Sequence, residues 1–354
     1  MQDKATLVTI NHQKLLSFAL ECFLCTGFEE ESAQLIADSL IEADLRGLNT
    51  HGVIRIPMYL NRVKTGLIDP LARVNLIKEN DNMAVLDAGN GMGQPASVYA
   101  MQKAIEKAGV STISMVGVRN SNHFGTAAYY SMMAAERRML GISCSNTEPL
   151  MAAPGGAKAV VGNNPLSIAI PGGNKPDIVI DMAMSAAAIG KIVLAQKKGE
   201  SIPLGWATDK IGNVTTDPNE ALDGGALLPF SGPKGYSFAL AVDILAGILM
   251  GSGFGEDVKS PFNDFLNQQK VGHMFMAINI SAFTNLEKFL ANVEELIRQI
   301  KTAPVAPGVK EAFLPGEIEY NTKCTRLVDG IPLPVGLIDE LNAYAQELTV
   351  KSRL

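Results

Sequence analysis

The chain has 354 residues, 47% of them hydrophobic and 19% charged, with a net charge of -6. That is enough for one large or two moderate domains with a substantial core. No basic stripe is present to neutralise phosphates, which argues against a nucleic-acid partner, and the start Met-Gln-Asp-Lys-Ala-Thr lacks the layout of a signal peptide, so a cytoplasmic protein is expected.

The first third reads as helix. Asn11 can cap a helix carrying Leu15, Phe18, Ala19, Cys22 and Phe23 at helical spacing and ending near Gly27. A second helix runs from about Glu30 to Arg46 with Gly47 as its stop, and a third covers Ile54 to Lys64. After Pro70 short β-prone runs appear, at Val74–Ile77, Met83–Asp87, Thr112–Val118, Gly141–Ser145, Leu166–Ile170 and Ile178–Asp181. Helical stretches at Ala96–Ala108 and Ala127–Arg138 fall between them, an alternation that points to an α/β domain. A strand at Met274–Ile280, a helix at Leu286–Lys301, a Pro-Gly linker and a closing helix at Leu337–Leu348 follow. The expected organisation is a central α/β unit over 75–301 and a smaller helical unit built from 1–74 joined by 302–354, with the active site in the cleft between them.

The apolar run Tyr236–Phe254 approaches the length of a bilayer span, but Asp243 lies at its centre. A charge there costs about 3 kcal/mol even on a lenient insertion scale. The expectation is a buried helix at a subunit interface and no membrane partner. The four cysteines, Cys22, Cys25, Cys144 and Cys324, include one lone C-x-x-C with no second pair to complete a zinc site, and read as buried free thiols.

Asp87-Ala-Gly-Asn-Gly-Met-Gly-Gln-Pro95 follows a strand and precedes a helix, which invites a dinucleotide-loop reading. Gln94, however, stands where G-x-G-x-x-G wants its third glycine. An ordinary tight turn is the competing reading.

Four segments carry chemistry. Thr50-His51-Gly52 precedes Arg55 and Tyr59, placing a proton-exchanging imidazole beside a side chain that can grip a carboxylate through two parallel bonds. Asn122-His123-Phe-Gly125 is a second histidine-bearing turn before a helix, where free N–H groups favour anions. Asp181, at a strand end before small residues, could fix a histidine tautomer or cap a helix. Lys234 in a glycine turn and Glu317 after Pro315-Gly316 could serve phosphate and ribose, or merely punctuate the backbone. His12 and His273 read as structural.

Taken together these segments resemble the malate/L-lactate dehydrogenase family that includes ureidoglycolate, sulfolactate and hydroxycarboxylate dehydrogenases and diketogulonate reductase. The match runs in order through Asp44…Gly47…Thr50-His51-Gly52…Arg55…Tyr59, Asn122–Gly125, Gly162–Pro165, Asp181–Ser185…Gly190-Lys191, Pro203–Asp209…Gly212, Pro233–Tyr236 and Leu314–Glu317. The resemblance implies a non-Rossmann mixed α/β sheet binding NAD(P), NAD ahead of NADP, in a homodimer.

It further implies hydride transfer between a small 2-hydroxy acid and its 2-oxo acid, with a cyclic imino acid or keto-sugar acid as the alternative substrate. His51 is the first choice for proton exchange, His123 the second, and Asp181 their support. Thr50, Arg55, Tyr59 and Asn122 would meet substrate. Ser145, Asn146, Thr147, Asp181, Met182, Ala183, Met184, Ser185, Lys234, Pro315, Gly316 and Glu317 would meet cofactor. A metal-hydrolase site made of His51, His123 and Asp181, and a non-catalytic nucleotide-binding protein, are the competing readings. Three places depart from the family pattern: Thr50 stands where many members carry serine, the stretch after Ala188 is short, and the region from Phe254 to Gln269 is unfamiliar.

Overall fold

A computed structural model describes residues 6–354, so the Met1–Ala5 start and the reading made of it lie outside the described residues. Strand β1 (Leu7–Ile10) leads into helices α1 (His12–Cys25), α2 (Glu30–Leu45) and α3 (Ile56–Lys64). Asn11 caps α1 as its sequence suggests, accepting from Gln13 N at 2.9 Å and Lys14 N at 3.3 Å. The third helix begins two residues later than its apolar pattern implies, because the chain first makes two 3-10 turns, Asn49–His51 and Val53–Arg55.

Next come β2 (Asn75–Glu79), β3 (Met83–Asp87), α4 (Gly93–Ser111), β4 (Ile113–Ser121), α5 (Ala127–Glu136) and β5 (Met139–Ser145). Short ribbons and outer strands follow: β6 (Met151–Ala152), β7 (Ala159–Val161), β8 (Leu166–Ile170) and β9 (Ile178–Met182). After α6 (Ile189–Lys198) come β10 (Ala207–Thr208), β11 (Val214–Thr215), α7 (Pro218–Leu222) and α8 (Pro233–Val242). The chain ends with β12 (Val271–Asn279), α9 (Leu286–Thr302), α10 (Glu317–Asp329), β13 (Ile331–Pro334) and α11 (Val335–Glu347).

Seven strands form one mixed sheet in the order β2-β3-β4-β12-β5-β8-β9. Strands β3 and β4, linked through α4, run parallel, while each remaining neighbouring pair is antiparallel. This single crossover is what separates the sheet from a doubly wound dinucleotide fold, whose strands are mostly parallel. Helices α4 and α5 pack on one face through Ala96, Ala100, Ala104, Tyr130 and Ala134 against Val116, Val118 and Phe275. Cys144, Met274, Val242 and Met250 build the core on the other face.

A third core joins the two ends of the chain. Leu15, Phe18, Phe23, Ile36, Leu40 and Tyr59 pack with Ile331, Leu333, Leu341 and Ala345. Strand β1 pairs antiparallel with β13, matching Val8 to Leu333. These two short strands, and helices α6, α7 and α10, are not among the elements read from the sequence.

The run Tyr236–Phe254 departs from expectation. Helix α8 passes into a π-helical turn over Asp243–Ile248, and only one face is buried. Asp243 is inside, accepting from Asn146 Nδ2 at 3.2 Å and Gly255 N at 3.1 Å, whereas Phe238, Leu240, Ile244, Ile248 and Leu249 are exposed. Among the described residues no helix is long and apolar enough to cross a membrane. The cysteines are all free, as expected, but only Cys22 and Cys144 are buried; Cys25 and Cys324 are exposed.

Candidate active site

Three elements bring two imidazoles and an arginine together. His51 ends the first 3-10 turn after α2, and that turn is held from beneath by Asp44. The Asp44 carboxylate is buried and accepts the Val53 N–H at 2.8 Å. A Cβ on Gly52 would stand 2.0 Å from Asp44 Oδ1, so only glycine lets the carboxylate reach across. Arg326 of α10 donates to Asp44 O, and also to Asn49 Oδ1 at 2.8 Å. Burial pushes the Asp44 carboxyl up to about 7, against the Val53 hydrogen bond and the Arg326 charge.

His123 arrives from the loop between β4 and α5. That loop rests on the glycine turn of Gly89–Gly93, which is a tight strand-to-helix turn filled by protein. Asn122 Nδ2 donates to Asn90 O at 3.1 Å and Gly91 O at 2.9 Å, and a Cβ on Gly93 would stand 2.3 Å from Asn122 O. The Asn122 amide nitrogen is therefore spent inside the protein, while its buried Oδ1 has no hydrogen-bond partner among the described residues. Asn122 ties the histidine loop to the glycine turn.

The rings of His51 and His123 stack with centroids 5.7 Å apart and planes 23° apart. Thr50 Oγ1 lies 3.0 Å from His51 Nδ1, and Tyr59 Oη lies 2.6 Å from His123 Nδ1. Tyr59 is fully buried and accepts from Gln94 Nε2 at 3.0 Å. Its hydroxyl is thus engaged with His123 rather than with substrate. No hydrogen bond engages the Nε2 atom of either imidazole among the described residues, so each ring is oriented through one nitrogen with the other left for chemistry.

Arg55 completes the group. Its guanidinium carbon sits 4.6 Å from the centre of the Phe262 ring, and its Nε is buried without a hydrogen-bond partner. Burial, then the Arg55 charge, pushes His51 down to about 4 and His123 well below its ordinary value. Both rings are therefore neutral near pH 7. Glu148, whose carboxyl is pushed up by burial, brings a compensating charge toward Arg55 and Arg62.

Asp181 is elsewhere. Its Oδ2 accepts the Ala128 N–H at 3.2 Å at the start of α5. Surrounding protein pushes its pKa up to about 6, although part of the side chain is open. The charges bearing on it are Arg46 and Glu319, and no hydrogen bond joins it to either imidazole. The expected Asp181 support for an imidazolium is not what this geometry provides, nor do His51, His123 and Asp181 form a metal-ligand cluster.

The expected cofactor residues divide in two. Ser145 and Asn146 are buried in the sheet: Ser145 Oγ lies 2.9 Å from His273 Nδ1, and Asn146 Nδ2 donates to Gly253 O at 2.8 Å. Thr147 Oγ1 donates to Asn163 Oδ1 at 2.9 Å, and the Ser185 hydroxyl to Ala187 O at 2.9 Å. Glu317 is also engaged, accepting from Lys301 Nζ at 2.6 Å and Leu314 N at 2.8 Å, which leaves it poorly placed for a ribose. Pro315 and Gly316 lie against Val179 of β9. Met184 is buried, whereas Met182 and Lys234 are exposed. Among the described residues Lys234 enters no ion pair, and it lies in the first turn of α8 after Gly232, whose φ is +63°. The donors there suit a phosphate, and Ala183, with the small residues that follow, suits a flat ring.

His12 and His273 have the structural placement read from sequence. His273 is buried between Ser145 and Ser121 and stacks on Phe124 at 4.5 Å.

Four residues were not singled out from sequence: Gln94, Arg62, Phe262 and Gln269. Gln94 left a signal, as the misfit in the glycine pattern, and Phe262 and Gln269 lie in the unfamiliar stretch from Phe254 to Gln269. The Gln94 side chain is needed at the site, which explains why glycine is absent there.

The match to the malate/L-lactate dehydrogenase family covers residues 10–342. The chain belongs to this family. It is 42% identical over 351 residues to the malate dehydrogenase of Pyrococcus abyssi, with 97% of this chain and 96% of the relative covered. The malate dehydrogenase structure from Entamoeba histolytica superposes with a TM-score of 0.93 at 32% identity, covering 98% of this chain and 99% of that one. The delta1-piperideine-2-carboxylate reductase structure from Pseudomonas syringae gives 0.87 at 28% identity, covering 96% and 100%. Relatives named for their cofactor include an NAD(+) ureidoglycolate dehydrogenase of Escherichia coli, 32% identical over 92% of this chain and 91% of its own length. An NADP(+) (2R)-3-sulfolactate dehydrogenase of Chromohalobacter salexigens is 33% identical over 93% and 96%. This family member is thus a dehydrogenase.

Proposed function

We propose that this dehydrogenase interconverts a small 2-hydroxy acid and its 2-oxo acid, with Arg55 holding the carboxylate and His123 exchanging the proton. The observation that carries the reading is the stack of two neutral imidazoles beside an arginine whose buried Nε has no partner. A carboxylate in the guanidinium plane would make two parallel hydrogen bonds there.

The bound nicotinamide supplies or accepts the hydride. The protein's own work is proton management and orientation. In the oxidising direction a neutral imidazole takes the hydroxyl proton at Nε2, and both rings are neutral at pH 7. In the reducing direction an imidazolium must return a proton to the oxygen. The Arg55 charge disfavours that state, and a carboxylate seated on Arg55 offsets the charge. Substrate binding therefore raises the imidazole pKa when a proton is required.

His123 is favoured over His51 because its orientation is fixed by buried groups. Tyr59, itself held by Gln94, and the Gly125 N–H at 3.4 Å hold Nδ1, and Gln269 Oε1 accepts the His123 backbone N–H at 2.8 Å. His51 is held through the hydroxyl of the exposed Thr50.

For the cofactor, Lys234 would hold a phosphate, with the backbone at Ser145–Thr147, the stretch Asp181–Ser185 and the Pro315–Gly316 turn lining the rest. Lys234 is the only cation among these residues, which supports NAD ahead of NADP. The exposed apolar face of α8 and its π turn supports a homodimer, and the four free cysteines support a cytoplasmic location.

A cyclic imino acid is the second reading, because the piperideine-carboxylate reductase shares this fold and its substrate also carries a carboxylate beside the reducible carbon. The test is NADH and NADPH oxidation against pyruvate, oxaloacetate, a sulfonated 2-oxo acid and a cyclic imine carboxylate. Turnover of one or more 2-oxo acids supports the main reading. Turnover of the imine alone replaces it with the second.

A further inference from the structure

The segment after the π turn closes on itself. Lys259 N–H donates to Gln269 O at 3.1 Å and Gly253 N–H to Lys270 O at 3.1 Å, so the chain between them is a compact Ω-loop with adjoining ends. Ser260 Oγ and Asp264 Oδ1 accept backbone N–H groups inside it, from Asn263 at 3.3 Å and Asn267 at 2.8 Å.

Two attachments fix this loop over the site. Arg62 of α3 is fully buried, yet it spends its charge on main-chain carbonyls: Nη1 donates to Asp264 O at 2.8 Å and Nη2 to Asn267 O at 3.2 Å. Gln269 ties the loop's far end to the His123 backbone at 2.8 Å. Two residues before the first attachment Phe262, 39% exposed, lies over the Arg55 guanidinium at 4.6 Å.

We infer that Phe262 is a specificity-determining residue of the substrate site and that Arg62 is the positioning residue that holds it there. This rests on the reading that Arg55 receives the carboxylate of a 2-oxo acid. The ring covers one face of the guanidinium and keeps water from it, which strengthens the ion pair by lowering the local dielectric. With that face covered, the guanidinium edge is left for the carboxylate, so the acid is held in one plane. The same ring walls the space beside the acid. A bulky substituent on C3 must displace a loop fastened by two charge-assisted hydrogen bonds, and a compact one need not.

The experiment compares wild type, Phe262→Ala, Phe262→Leu and Arg62→Lys in steady-state reduction of pyruvate and phenylpyruvate, with the nicotinamide cofactor that wild type uses. Phe262→Ala is expected to raise the pyruvate KM about tenfold with kcat within threefold and the cofactor KM unchanged. It should also raise the kcat/KM ratio of phenylpyruvate to pyruvate at least tenfold. Phe262→Leu, which restores bulk, should return most of both effects, and Arg62→Lys should move them in the direction of Phe262→Ala. Phe262 lies on a half-exposed loop, so its variants carry the test even if Arg62→Lys folds poorly. Wild-type turnover with an unchanged ratio in Phe262→Ala, or a cofactor KM that moves as much as the substrate KM, overturns this inference alone. A wild type inert toward every 2-oxo acid overturns both it and the proposed function.

Discussion

The Tyr59 hydroxyl lies 2.6 Å from His123 Nδ1 and is itself held by Gln94 Nε2 at 3.0 Å. With Gln94 donating, Tyr59 donates to Nδ1 and the His123 proton sits on Nε2. If the carboxamide turns over, Oε1, buried without a partner, can accept from Tyr59. Tyr59 then accepts from Nδ1, the long Gly125 N–H bond to Nδ1 at 3.4 Å is given up, and Nε2 becomes free to act as a base. One amide rotation thus connects the two states of the ring.

Tyr59→Phe removes that connection. We expect kcat to fall on the order of 10- to 100-fold, at or below the lower end of acid-base contributions because the hydroxyl orients the ring and does not itself transfer the proton, with cofactor KM unchanged. Gln94 and His123 each lose a partner, which costs about 1–3 kcal/mol of stability. Steady-state kinetics beside urea unfolding would show both effects. An unchanged kcat would mean that the hydroxyl does not orient the ring.

Gly93→Ala should act on the same histidine from a distance. Alanine favours a helix interior over glycine by about 1 kcal/mol. Here the added Cβ meets Asn122 O at 2.3 Å, so overpacking wins and a net loss of about 1–3 kcal/mol is expected. Denaturant midpoints measure the stability change, and kcat reports displacement of His123. A stabilised variant would contradict the close approach.

Much of this framework is legible in the sequence. Asn11, Gly47 and Pro70 punctuate the helices, and strands β3 and β8 lie where their apolar runs place them. The two histidine turns were also found, because imidazoles beside glycine and arginine are scarce in this chain. What escaped depends on contacts remote in sequence. Arg62 is not singled out in the sequence, because its role exists only once Asp264 and Asn267 fold over it. Glu317 reads as a free carboxylate until Lys301, sixteen residues earlier, reaches it. Asp181 reads either as a partner for histidine or as a helix cap, and only the fold decides for the start of α5 at Ala128.

Acid stability follows from the buried neutral histidines. Burial pushes His273 from its ordinary 6.5 down to about 3. The unfolded chain therefore binds a proton that the folded chain does not between those values. Stability contributed by this residue is full above about pH 6.5 and is lost progressively as pH falls to 3, on the order of 5 kcal/mol. Urea unfolding at pH 7, 5.5 and 4 should show the loss, and His273→Gln should flatten it while lowering stability at pH 7. An equal slope in the variant would contradict a buried neutral ring.

Asp44 has the opposite sign. Its folded pKa, about 7, lies above the ordinary carboxylate value, so the folded state holds a proton that the unfolded chain has released. Stability is therefore lost as pH rises from about 4 to 7. Asp44→Asn keeps an acceptor for the Val53 N–H and should be relatively more stable at pH 8 than at pH 5, compared with wild type. Asp44→Ala, which frees the His51 turn, should instead lower kcat. Matching pH slopes in wild type and Asp44→Asn would contradict the assignment.

The central claim is that a dehydrogenase holds a 2-oxo acid on Arg55 and passes a proton through His123. It is tested most directly by NADH or NADPH oxidation in wild type, His123→Ala and His51→Ala with the best 2-oxo acid, alongside cofactor binding by fluorescence titration. The account predicts a fall in kcat of at least about 100-fold in His123→Ala with cofactor Kd within twofold of wild type, and a smaller fall in His51→Ala. Near-normal turnover in His123→Ala would contradict it, and a larger loss in His51→Ala would move the proton to the other ring.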